Sequence, residues 1–193
     1  MTPRQPPAPA GPIAERVASL DWDGIRATLD AVGAASTGPL LTAGECAGIA
    51  GLYGDETRFR SKVVMRRHGF GEGEYQYFAR PLPDLVEGLR EAVYPRLVPV
   101  ANAWAEALGR PQRYPERLAD FLETCHAAGQ ERPTPLLLKY AAGDYNRLHQ
   151  DLYGAVHFPL QMVLLLSRPG TDFEGGAFVL TEQKPRHQSR AEA

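Results

Sequence analysis

Tyr140-Ala-Ala-Gly143-Asp-Tyr145-Asn-Arg-Leu-His149-Gln-Asp151 ends in a His-x-Asp pair and is followed by a strand-like run, Val156 to Ser167. Glu174-Gly175-Gly176-Ala177-Phe178 comes next. Side chains two apart on an extended segment point to one side. The His149 imidazole and the Asp151 carboxylate therefore converge. A histidine and a carboxylate presented together are two of the three protein ligands of a facial metal triad on non-haem Fe(II). His149 and Asp151 are accordingly the candidate metal ligands. A lone His-x-Asp also arises by chance, so the weight comes from its setting: a short extended lead-in, an apolar strand after it, then an acidic turn into Gly-Gly.

Working outward, the texture of the chain changes near Pro133. Before it, the apolar residues Ile13, Val17, Leu20, Ile25, Leu29 and Val32 follow a helical rhythm that Trp22 and Gly24 divide in two. Thr42-Ala-Gly-Glu45 reads as a capping box opening a short helix to about Leu52. Strands are predicted at Arg60 to Arg67 and Tyr75 to Phe78, joined as a hairpin through Gly69-Phe70-Gly71-Glu72-Gly73. That glycine run is not a phosphate loop, since it lacks the Gly-Lys-Ser/Thr ending and a following helix. Pro83-Asp84 opens a helix ending before Pro95, a second runs from Arg96 to Leu108 with a bend near Pro99, and Pro115 opens another that ends near Gly129. After Pro133, extended segments alternate with Gly-rich turns. Helices first and strands afterwards predict an α+β fold. The divisions are a Pro-rich leader at 1–12 that reads as disordered, a mainly helical region at 13–134 with a hairpin near 60–78, and a β region at 135–193.

With 193 residues, 44% of them hydrophobic, the chain can bury a core without disulfide or metal staples. A net charge of -2 gives no global pull towards nucleic acid or anionic lipid, although a local basic groove remains compatible with it. Arg58, Arg60, Lys62, Arg66, Arg67 and His68 form such a local cluster, read either as a solvated strand face or as an anion-binding strip. Cys46 and Cys125 lack metal-finger or CxxC spacing and read as reduced thiols. With no signal peptide and no apolar run of spanning length, the expected location is the cytoplasm, with no membrane partner.

The motif Tyr140-x-x-Gly143-x-Tyr145-x-x-x-His149-x-Asp151 resembles the Tyr-x-x-Gly-x-x-Tyr-x-x-His-x-Asp opening of the Fe(II)- and 2-oxoglutarate-dependent dioxygenases, prolyl-4-hydroxylase-like branch, with the second tyrosine one residue off. Glu174 to Phe178 resembles the Gly-Gly strand of that group. The likeness is plain over residues 135–182. The chain is also similar to a bacterial group of small dioxygenases with the same helical N-terminal half, a group described through oxidative repair of damaged DNA. The resemblance implies a double-stranded β-helix (jelly-roll) core, with Fe(II) and 2-oxoglutarate as cofactors and ascorbate as a reductant. It also implies O2 and a substrate hydroxylated at a C–H bond: a protein or proline-type substrate first, damaged nucleic acid second. It places Tyr140 beside the 2-oxoglutarate site. Gln161, the strongly polar residue of the apolar strand, joins the co-substrate if it faces the cavity, and Tyr145 at the mouth is a substrate contact.

The same likeness implies a distal histidine and, beyond it, an Arg or Lys for 2-oxoglutarate. Neither follows Gly176 in the expected place, so the sequence is expected to be truncated, with only the first half of the jelly roll present. His157 and His187 are the two substitutes for the third ligand, and an ordinary surface role suits each better. The non-enzymatic alternative is an inactive fragment or a binding module lacking that ligand.

Overall fold

The computed structural model describes residues 10–152, 154–182 and 190–192. Among the described residues every α-helix lies before Pro133, whereas strands occur on both sides of it. Helices α1 (Ile13–Ala18) and α2 (Trp22–Val32) are separated just before Trp22. Asp21 caps α2 by accepting from the Gly24 amide, and Gly33 ends it in the left-handed region at φ 78°. Helix α3 (Ala43–Gly51) opens with the expected capping box: the Thr42 side chain accepts from the Glu45 amide, and the Glu45 carboxylate accepts from the Thr42 amide.

Helix α4 departs from expectation. It runs unbroken over Asp84–Ala107 with Pro95 and Pro99 inside it. Each proline removes one helical hydrogen bond and crowds the preceding turn, at a cost of about 3 kcal/mol. Val93, Tyr94, Val98, Val100 and Ala101 are buried on this same stretch. Burying a large apolar side chain contributes about 1.5–3 kcal/mol, so packing outweighs two prolines. Helix α5 (Leu118–Ala127) starts later than the expected Pro115, whose carbonyl accepts from the Tyr94 hydroxyl at 2.8 Å.

Strands β1 (Phe59–Val64), β3 (Glu74–Phe78) and β4 (Leu136–Lys139) form an antiparallel sheet in the order β1-β3-β4. The predicted hairpin is the β1/β3 pair, with Lys62 opposite Gln76. Between them the chain makes a tight turn over Met65–His68 and then β2 (Gly71–Glu72), which pairs not within the hairpin but with β5 (Tyr145–Asn146). Strands β6 (Leu180–Glu182) and β7 (Arg190–Glu192) make a third small antiparallel pair. The architecture among the described residues is thus mixed helix and sheet, with small antiparallel sheets.

Two apolar clusters hold the layers together. In one, Val17 of α1, Leu40, Leu89 and Val93 of α4 pack with Met162 and Leu164. In the other, Ile49 of α3, Phe78, Leu82 and Leu137 pack with Phe59 and Leu166. Arg16 is buried between helices, donating to the Leu40 carbonyl at 2.8 Å and to the Glu45 carboxylate. Cys46 and Cys125 are free, half-buried thiols.

The run expected as a strand at Val156 to Ser167 is extended and alternates strictly over 161–166: Met162, Leu164 and Leu166 face the core while Gln161, Val163 and Leu165 face out. It has no ladder partner among the described residues, and a strand needs one to be a strand. Phe158 anchors its start, with ring centroids 5.1 Å from Tyr94 and 5.0 Å from Tyr114. In the Glu174 to Phe178 stretch, Gly175 and Gly176 both take left-handed conformations, at φ 76° and 68°, so this is a turn leading into β6.

Candidate functional site

The segment carrying His149 and Asp151 is held at both ends. Upstream, β4 leads into a turn at 140–144 closed by the Asp144 carboxylate, which accepts from the Ala141 amide at 2.7 Å. β5 then pairs with β2, and the Arg147 amide donates to the Phe70 carbonyl at 2.8 Å. Gly71 makes this approach possible. It sits at φ 128°, and a Cβ there would collide with the Tyr145 carbonyl oxygen. Downstream, the Gln130 side chain clamps Val156 in both directions: its amide nitrogen donates to the Val156 carbonyl and its oxygen accepts from the Val156 amide, each at 2.8 Å.

Between these anchors the His149 ring is fixed by its Nδ1, 2.7 Å from the Arg147 carbonyl oxygen. A carbonyl can only accept, so Nδ1 carries a proton and Nε2 is the nitrogen left to bind a second proton or a metal ion. That Nε2 lies 3.4 Å from Asp151 Oδ1. A lone pair facing a carboxylate is repulsive unless a cation lies between them, either a proton on Nε2 or a metal ion. A first-row divalent ion with bonds of about 2.1 Å holds neighbouring ligand atoms about 3.0–3.4 Å apart. The donor set and spacing therefore fit a metal, and a histidine tethered through its other nitrogen to a backbone carbonyl is the usual arrangement of a ligating imidazole. The two side chains are 46% and 42% exposed, so an ion reaches them directly from solvent.

Among the described residues no group of three His, Cys, Asp or Glu side chains is assembled, so none of them completes a triad with this pair. His157 is half-buried and is not brought to it. His187 lies outside the described residues. Tyr140 packs its ring against Gly73, and partial burial raises its phenol above the ordinary tyrosine value, with the Asn146 side chain opposing and Asp144 adding to the rise. Tyr145 is half exposed on β5, and Gln161 points outward on the alternating run. Asp172 is occupied by Arg168.

The basic cluster divides into two groups. Arg58 pairs with Asp55, Lys62 lies 2.8 Å from Glu74, and Arg60 stacks over Tyr77 at 4.3 Å while donating to the Pro133 carbonyl. These are local surface contacts. Arg66, Arg67 and His68, by contrast, lie on the turn that packs against 145–147, immediately before His149. Sequence spacing does not reveal this convergence, which joins residues some eighty positions apart through two-residue strands. Gly71 has a sequence signal in the Gly-x-Gly-x-Gly run, whereas Gln130 has none.

Residues 73–193 match the Oxygenase-NA family, described as an oxygenase catalysing oxidative methylation of damaged DNA. The matched span contains every residue of the His149–Asp151 site except the β2 turn. The match covers more than half of the chain, and the chain belongs to the Oxygenase-NA family. Two proteins from two strains of Mycobacterium tuberculosis, both called simply an uncharacterized protein, are each 53% identical to it over 116 residues. Those residues are 60% of this chain and 50% of each relative, so the chain spans about half the length of the curated relatives it matches. No solved structure matches it. No helix among the described residues is long and apolar enough to cross a membrane.

Proposed function

We propose that His149 and Asp151 hold Fe(II) in a 2-oxoglutarate-dependent oxygenase site whose substrate is damaged nucleic acid. The observation carrying this reading is His149 Nε2 standing 3.4 Å from Asp151 Oδ1 while Nδ1 is tied to the backbone. Iron bound there would supply oxidation of a substrate C–H bond coupled to decarboxylation of 2-oxoglutarate. The chain's own residues do the positioning. The Arg147 carbonyl sets the tautomer and ring angle of His149, the β2/β5 pair and the Gln130 clamp fix the backbone on either side, and the Tyr140 hydroxyl is a donor for a co-substrate carboxylate. The third protein ligand and a cationic partner for 2-oxoglutarate would come from outside the described residues, in a jelly roll completed by further strands. Outward-facing Val163 and Leu165, 55% and 64% exposed on an extended run, offer such strands an apolar face.

Hydroxylation of a proline-type substrate uses the same iron chemistry and is the second reading, supported by the motif from Tyr140 to Asp151. Succinate release by the intact protein separates the two. On the first reading, an N-methylated single-stranded oligonucleotide stimulates release, a proline-containing peptide does not, and Asp151→Ala abolishes it. Stimulation by the peptide alone would replace the nucleic acid with the proline-type substrate.

A further inference from the structure

We infer that the turn at 65–70 together with Arg147 is the surface along which a single-stranded nucleic acid approaches His149 and Asp151, with Arg67 and Arg147 on phosphates and the His68–Phe70 stack beneath a base. This rests on the nucleic-acid reading above and adds to it the place where the strand binds.

The turn is rigid where it meets the protein and polar where it meets water. Met65 is fully buried and anchors it, its amide donating to the Gly73 carbonyl and its carbonyl accepting from the Phe70 amide. Arg66, Arg67 and His68 are consequently driven outward, and all three are exposed. Arg147 approaches from the facing strand. Its guanidinium Nη1 lies 3.9 Å from where a Cβ on Gly69 would be, so it reaches back over the turn. Arg66 has Glu72 at 3.7 Å as a partial counter-charge. Arg67 on the turn and Arg147 opposite it have no ion-pair partner among the described residues, and guanidinium groups without carboxylate partners suit a polyanion.

The aromatic part points to bases and not merely to phosphate. Phe70 is 45% exposed, and its ring stacks with that of His68 at a centroid distance of 5.4 Å and an interplanar angle of 23°. An exposed flat ring flanked by cations is the combination that binds unpaired bases without regard to sequence. The position matters as much as the chemistry. Arg147 precedes His149 by two residues, about 7 Å of extended chain, and its carbonyl orients the His149 ring. A strand gripped at Arg147 is delivered to the metal pair.

The test is fluorescence anisotropy of the 193-residue chain, free of added metal, with a labelled mixed-sequence single-stranded oligonucleotide titrated at several salt concentrations. Arg67→Gln/Arg147→Gln should weaken binding by about tenfold or more and lower the slope of log K against log salt by roughly 1.4, the value for two phosphate contacts on a single strand. Phe70→Leu should weaken binding by about fivefold with an unchanged slope. Arg26→Gln/Arg96→Gln, the same charge change on the helical layer, should bind as the unaltered chain does. Both arginines are exposed, and far-UV circular dichroism checks that the variant is folded. Equal loss in both double variants, no loss in the first, tighter binding of duplex than of single strand, or no binding by the unaltered chain would each overturn the inference. None of these outcomes touches iron ligation, and the succinate assay judges the substrate class separately.

Discussion

Replacing Glu45 by Gln should remove a pH-dependent part of the stability of this fold. The Glu45 carboxylate accepts from the Arg16 guanidinium, from the Thr42 amide and from the Thr42 hydroxyl. The Arg16 hydrogen bonds lower its pKa most, burial opposes them, and the Thr42 contacts add to the lowering, so the group falls from an ordinary 4.5 to about 2. One unit is worth 1.36 kcal/mol, which makes the folded state's preference for the carboxylate about 3 kcal/mol. Because the folded pKa is depressed, this stability is fully present above pH 4.5 and disappears as the pH falls through 2. Glutamine keeps the cap and mimics the protonated acid. Urea denaturation followed by circular dichroism should therefore show Glu45→Gln less stable by about 3 kcal/mol at pH 7, a large share of a typical 5–15 kcal/mol. The gap should shrink below about 1 kcal/mol at pH 2.5. The effect reaches the site's scaffold, since Arg16–Glu45 ties α1 to α3, whose Ile49 packs beneath Phe78 and Leu137 of the sheet. A gap that stays constant from pH 7 to pH 2.5 would refute this reasoning.

Two further substitutions probe the anchors of the metal pair. Gly71→Ala places a methyl group against the Tyr145 carbonyl, so the β2/β5 pair should separate, with a loss of about 2 kcal/mol or more in denaturation and a weaker affinity for Fe(II). Gln130→Ala removes both hydrogen bonds to Val156, at about 1 kcal/mol each, and amide hydrogen exchange at Val156 should accelerate while the amides of β3 stay protected.

What could be read from residues alone was local. The Thr42/Glu45 box, the break before Trp22 and the β1/β3 hairpin depend on neighbours in sequence, and the structure contains each of them. The Pro95 and Pro99 stretch is different. Proline chemistry argues for a break, and only the burial of Val93, Tyr94 and Val98 from both sides explains a continuous helix. The run Val156 to Ser167 shows its alternation plainly, but a ladder is a property of two segments, and no partner lies among the described residues. At the site, a spacing of two brings His149 and Asp151 together, as their pattern predicts. The tether to the Arg147 carbonyl, the Gln130 clamp and the basic turn against 145–147 are contacts between distant segments. They leave no periodicity to detect.

The most direct measurement is an anaerobic Fe(II) titration of the 193-residue chain beside His149→Ala and Asp151→Ala, followed by calorimetry. The account predicts one Fe(II) per chain, with affinity reduced at least about tenfold in either variant while folding is retained. Binding of Fe(II) by both variants as tightly as by the unaltered chain would contradict it.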